Sequence, residues 1–116
     1  MALPNVINVS QIYGYSTGKI LTTSSQDILT NPGNQSWKVN TIMCANVSST
    51  SQSTTVYYYD VISSTSYAIV YQVVIPAYST LDVLVRPFYL KENDKIQALA
   101  GNNSSIHLIV SYETIQ

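Results

Sequence analysis

The C-terminal part of the chain alternates apolar and polar residues with a period of two. One face of the last such segment would carry Ile106, Leu108, Val110 and Tyr112, and the other His107, Ile109, Ser111 and Glu113. Residues 95–100 repeat the pattern, with Ile96, Ala98 and Ala100 on one face. Successive side chains of a β-strand point to opposite faces, so this pattern predicts strands that pack one face on a core. No long segment shows the period of an amphipathic helix.

Further strands are predicted upstream, and turn-forming residues separate them. The predicted strands cover residues 19–23, 26–30, 37–47, 54–62, 67–75 and 81–85, and residues 12–15 are a candidate first pairing segment. Without helices for crossover connections, a parallel sheet is excluded. The sequence therefore predicts an all-β fold, an antiparallel β-sandwich of about eight strands that is jelly-roll or immunoglobulin-like.

The length of 116 residues fits a single domain, which we predict to span residues 1–116. Residues 1–15 are less regularly patterned than the rest, and they are a candidate N-terminal arm that packs on a neighbour. Within the predicted strand 37–47, alternation places one set of side chains on the inner face: Trp37, Val39, Met43, Ala45 and Val47.

Charge is scarce in this sequence. Only 9% of the residues are Asp, Glu, Lys or Arg, and the formal net charge is −1, whereas a soluble monomer keeps roughly 25–35% of its surface charged. The five basic residues are scattered along the sequence. Nucleic-acid binding needs clustered Lys and Arg, so this distribution argues against it. No apolar stretch approaches the ~20 residues that span a membrane. We therefore expect neither a nucleic acid nor a membrane as partner.

Two predicted strands, 54–62 and 67–75, carry apolar or aromatic residues on both faces, where a monomeric sandwich would carry Lys and Glu on one. Tyrosine, of which the chain has ten, suits interfaces because it combines an apolar ring with a polar tip. We therefore predict a contact surface for a neighbouring subunit at Tyr57, Tyr59, Val70 and Val74. Half-buried rings with ordinary β propensity, or a stacking platform for sugars, are the alternative interpretations.

No constellation of residues indicates catalysis, a cofactor or a metal. Cys44 is the only cysteine and lies in an apolar run, so we predict a buried side chain rather than a reactive thiol. His107 is the only histidine, and a metal site needs several converging ligands. The six carboxylates form no motif, and a small glycosidase remains only a third hypothesis. The expectation is a protein that is not an enzyme, with no catalytic, cofactor-binding or metal-binding residues.

Three blocks of the C-terminal half are distinctive: VIPAYSTL at residues 74–81, YLKENDKI at 89–96 and IVSYE at 109–113. They resemble small virion structural proteins of tailed bacteriophages, especially cyanophages and other marine phages. Asn93 stands in the second block where glycine is common. The segments IYG at 12–14 and LTTSSQDI at 21–28 are also similar.

The resemblance implies a non-enzymatic component of the virion, placed on the capsid or in the neck, tail or baseplate. Together with the scarce charge and the strands that are apolar on both faces, it leads us to expect first a capsid decoration or cement subunit. Such a subunit would contact other copies of itself, with a trimer expected, and capsid or neck and tail proteins. The alternatives are a neck, tail or baseplate accessory subunit, or a carbohydrate-binding module that recognises host surface glycans.

Overall fold

The computed structural model describes residues 11–116, which form nine strands and no helix. The strands are β1 Ile12–Ile20, β2 Gln26–Thr30, β3 Ser36–Asn46, β4 Gln52–Asp60, β5 Thr65–Ile75, β6 Thr80–Asp82, β7 Phe88–Leu90, β8 Lys95–Ala100 and β9 Ile106–Ile115. All pairs are antiparallel and form two sheets packed as a sandwich. The predicted fold class is confirmed, with nine strands instead of about eight.

The first sheet has the order β1-β9-β3-β6, and the second has the order β2-β8-β4-β5. The short strand β7 also belongs to the first sheet and pairs with β3 at Trp37, Lys38 and Val39, while β6 pairs with β3 at Met43, Cys44 and Ala45. The predicted strand 81–85 is therefore shorter than expected. It ends at Asp82, and Val85 beyond it is 94% exposed.

The core between the sheets is apolar, and β8 and β9 supply its centre. Ile96 and Ala98 of β8 and Ile106, Leu108 and Val110 of β9 have no solvent exposure, which confirms the alternation read from the sequence. His107 and Ile109 face the solvent side of β9, as predicted. Burying one Val, Leu or Ile side chain stabilises the folded state by about 1.5–3 kcal/mol before the loss of conformational entropy is counted.

The inner face of β3 was predicted only in part. Val39 is buried, but from there on the buried residues are Ile42, Cys44 and Asn46, whereas Met43, Ala45 and Val47 are not buried. The pairing of β3 with β9 shifts between Val39 and Thr41, which inserts one extra residue. A bulge of this kind exchanges the two faces of the strand beyond it, because side chains alternate with a period of two.

Residues 12–15, which belong to the predicted N-terminal arm, form the start of β1 and pair with residues 112–115 of β9. Residues 1–10 lie outside the described part of the chain, so the arm stays a prediction for them.

Candidate assembly surface

The predicted interface residues lie on β4 and β5, and the structure brings three of the four to one face. On β4, Val56 is buried and Tyr58 packs against the core. Because side chains alternate along a strand, Tyr57 and Tyr59 point away from the core. On β5, Ile75 is buried and the preceding Val74 is 62% exposed on the same outer side.

Val70, the fourth residue, packs against the core instead. Its pairing partner is the buried Val56, and the register shifts on either side of that pair. A second irregularity follows at Gln72, which has a φ of 51° and donates its backbone N–H to Thr55 Oγ1 at 2.9 Å. The sequence-based prediction assumed regular alternation along residues 67–75, and these bulges break that alternation. The prediction that Val70 points outward was therefore wrong.

The outer side of the strand pair is apolar, and we call it the outer β5 surface: Tyr57, Tyr59, Ala68, Tyr71 and Val74. Tyr71 is 64% exposed, and Tyr57 and Tyr59 are half-buried. None of the eleven residues of β5 is charged. The ammonium of Lys95 lies 5.8 Å from the centre of the Tyr59 ring and pairs with Asp27 Oδ2 at 3.0 Å. Charge therefore borders this surface without interrupting it.

The edge strand β1 of the first sheet, on the other side of the sandwich from β5, is also exposed on both faces. Ile12, Tyr15 and Ile20 are between 50% and 57% exposed. The second sheet does not cover this strand along its length, because its own edge strand there, β2, has only five residues. Sequence reasoning treated this segment as a minor pairing element or an arm and missed its exposure.

Three stacked rings cross the first sheet from β3 to β1. The centre of the Trp37 ring lies 4.9 Å from that of Tyr112, which lies 5.6 Å from that of Tyr15. Burial raises the pKa of the Tyr112 hydroxyl. Because neighbouring rings cover one another's faces, the row extends the packed layer towards β1. Alternation predicted the facing of Trp37 and Tyr112, but their stacking depends on pairing between distant strands.

The chemical groups that could support catalysis are dispersed. Cys44 is fully buried as predicted, and burial raises the pKa of its thiol to about 12. Within residues 11–116, no three His, Cys, Asp or Glu side chains are grouped so that they could hold a metal ion. His107 lines a shallow groove of about 220 Å³ between β1 and β9, together with Lys19 and Ile20. No described helix could cross a membrane.

One cluster of charged groups is centred on the buried carboxylate of Asp94, and its role is structural. Asp94 has no solvent exposure and accepts hydrogen bonds from the Tyr58 hydroxyl at 2.6 Å and the backbone N–H of Val61 at 3.1 Å. Lys91 Nζ lies 2.9 Å from the same carboxylate and 2.8 Å from that of Asp60. These hydrogen bonds raise the pKa of the Lys91 ammonium. The cluster fixes the turn before β8 to the end of β4, and every polar group in it is paired.

Comparison with known proteins shows the fold. Neither a family model nor a curated protein matches the chain. Two solved structures are similar over nearly the whole chain. One is the structure of Bacillus endospore appendages, described as disulfide-linked pili, with 12% identity, a TM-score of 0.53 and coverage of 99% of this chain and 95% of that one. The other is the capsid of Helicobacter pylori bacteriophage KHP30, with 8% identity, a TM-score of 0.56 and coverage of 93% and 90%.

Proposed function

We propose that this chain is a non-enzymatic structural subunit of a bacteriophage virion, and that it decorates or cements the capsid. The observation that carries the proposal is the outer β5 surface, an apolar face on a strand without a single charge. A monomeric protein exposes few contiguous apolar patches of this kind, and larger ones mark interaction sites. The sequence blocks that resemble phage virion proteins and the likeness to a phage capsid fold support the same role.

The strand order supports a jelly-roll version of the sandwich. β6 and β7 lie end to end along β3 and act as one interrupted strand, which leaves four strand positions in each sheet. Eight positions in two four-stranded antiparallel sheets are the arrangement of jelly rolls, a fold used by viral capsid domains. In this role the outer β5 surface docks on the capsid or on another copy of the subunit.

Quantitative mass spectrometry of purified phage particles tests the proposal. A decoration subunit should be present in a copy number comparable to that of the major capsid protein. About a dozen copies, the number expected from a symmetric ring, would indicate a location in the neck, tail or baseplate instead. Absence from washed particles would contradict a virion role altogether.

A further inference from the structure

The edges of the two sheets differ in length and exposure. On one side of the sandwich lie β1, with nine residues, and the shorter β2 with five. On the other side lie β5, with eleven residues, and the three-residue strands β6 and β7. Two contacts fix this arrangement: Ala100 of β8 donates its N–H to Thr22 O just after β1, and Tyr58 of β4 packs edge-on against Phe88 of β7. Each side therefore presents one long free edge.

The free edge of β1 offers a regular row of hydrogen-bonding groups. Gln11 and Gln116 exchange both backbone hydrogen bonds at 3.0 Å, and Leu21 donates to Ile106 O at 2.9 Å beyond the other end of the strand. In an antiparallel pair, alternate residues bond to the partner, so the odd-numbered residues of β1 face β9. The backbone groups of the even-numbered residues, such as Gly14, Ser16 and Gly18, therefore point outward, and within residues 11–116 β9 is the only strand that pairs with β1.

Neither long edge contains a proline, and the two edges share a single charged residue. Natural proteins protect such edges with charges, prolines, short strands or bulges, and of these β5 has only the irregularities at Val70 and Gln72. β5 has no charge and no proline over its eleven residues, and Lys19 is the only charged residue of β1.

We propose that β1 of one copy pairs with the free edge of β5 of a second copy, so that copies join head to tail. The same chain supplies both halves of this contact, and the two halves match in length and in lack of charge. The nine residues of β1 extend over about 30 Å, which is the longest contact that the bulged edge of β5 can make with it, and the smallest dimension of the chain is 20 Å. The contact would then cover at most roughly 600 Å² on each copy, at the low end of stable interfaces, which bury ~800 Å² per partner. A head-to-tail contact closes into a ring, such as the expected trimer, or continues as an open array.

This inference rests on the proposed assembly role, but its test is separate from that of the virion location. Two variants each block one edge with a lysine. Gly14→Lys acts on β1, where an added Cβ meets no atom within 4 Å, and Ala68→Lys acts on the exposed outer side of β5. Gly18→Lys is a second β1 variant, because an added Cβ there makes only an ordinary contact of 3.7 Å. Ile62→Lys, in a turn where Ile62 is 80% exposed, is the matched control.

Sedimentation velocity of each purified variant, with circular dichroism to confirm folding, gives the first measurement. We expect the wild type and Ile62→Lys to form oligomers, and each edge variant to weaken self-association at least about tenfold and sediment as a monomer. A 1:1 mixture of Gly14→Lys and Ala68→Lys should form a dimer and nothing larger, since one intact β1 edge meets one intact β5 edge.

Three results would overturn the inference: a monomeric wild type, a Gly14→Lys protein that still dimerises by itself, or a mixture that stays monomeric. The second would point to a symmetric contact of β5 with β5. None of them changes the copy number measured in particles, so the virion role can stand or fall independently.

Discussion

Asn31 and Asn46 make the same hydrogen bonds at two different corners of the sandwich. The side-chain amide of Asn31 donates to Leu90 O at 2.8 Å and Gln35 O at 3.1 Å, and that of Asn46 donates to Ile75 O at 2.9 Å and Thr50 O at 2.8 Å. Each side-chain oxygen accepts the backbone N–H two residues on, from Gly33 and Ser48 respectively.

The equivalence of the two corners extends to the turns that they contact. Three residues after Leu90 and Ile75 stand Asn93 and Tyr78, with φ values of 65° and 58°. The next residue in each turn accepts a hydrogen bond at its backbone oxygen from the backbone N–H of the corner asparagine. Asp94 O accepts from Asn31 at 3.2 Å, and Ser79 O accepts from Asn46 at 2.8 Å. Both asparagines are at most 2% exposed. Buried amides thus close two turns where one sheet passes to the other.

Replacing Asn46 by alanine should lower the free energy of unfolding by about 2–3 kcal/mol, because the carbonyl of Ile75 and the N–H of Ser48 lose the hydrogen bonds of its amide, and Thr50 O keeps only the Ser48 hydroxyl. Urea denaturation followed by tryptophan fluorescence measures the loss. Asn102→Ala is the control: Asn102 is exposed, and its side chain donates to the side chain of Gln52, so the loss of stability should stay within about 0.5 kcal/mol. Equal losses in both variants would contradict the structural role of Asn46.

Val70 and Val74 form a matched pair on β5 that separates folding from assembly. Val70→Asp places a carboxylate against the core and should cost about 2–4 kcal/mol of stability. Val74→Asp places it on the outer β5 surface, so stability should change by no more than about 0.5 kcal/mol while incorporation into phage particles falls. Urea denaturation and quantitation of the variant in particles check the two expectations. Normal incorporation of Val74→Asp would remove this position from the docking surface.

Asp94→Asn should destabilise the fold by about 2–3 kcal/mol, since it removes the charge that partners Lys91 in a site where the carboxylate is fully buried. Thermal unfolding at neutral pH measures the change. Asp27→Asn, at the surface pair with Lys95, is the comparison and should shift the transition far less. An Asp94→Asn protein as stable as Asp27→Asn would show that the buried cluster contributes little.

The buried thiol of Cys44 should make the free energy of unfolding fall at alkaline pH. Its thiol has a pKa raised from 9.0 to about 12 in the folded chain, so folding favours the protonated form. That stabilisation is complete below pH 9 and is lost as the pH rises towards 12, because the unfolded thiol ionises first. Between pH 9 and 10 the loss should approach about 1 kcal/mol. Cys44→Ala, although less stable at pH 7, should show a flatter dependence over this interval, and an unchanged slope would exclude the thiol as its source.

The sequence was sufficient where strands are regular, and it failed where they are irregular. Strict alternation in β8 and β9 identified the core residues Ile96, Leu108 and Val110. In β3, the bulge after Val39 reversed the faces, and nothing in the local residue pattern marks the extra residue. The same applies to Val70 on β5, where the bulges depend on the pairing with β4.

The candidate surface was predictable to a similar extent. The apolar second faces of the predicted strands 54–62 and 67–75 pointed to β4 and β5, and three of the four proposed contact residues lie on the outer side of this strand pair. The exposure of β1 was not predictable, because it depends on the shortness of β2 in the other sheet. Which strand lies opposite which is decided by long-range pairing and not by local pattern.

The uncharged β5 has a thermodynamic consequence for any contact that it makes. Association through apolar and backbone groups gains little from Coulomb attraction, so added salt at moderate ionic strength should leave it nearly unchanged. Apolar burial weakens on cooling. Copies of this subunit should therefore stay associated as salt is added up to moderate ionic strength, yet dissociate in the cold. Sedimentation at several salt concentrations and at several temperatures measures the two effects separately.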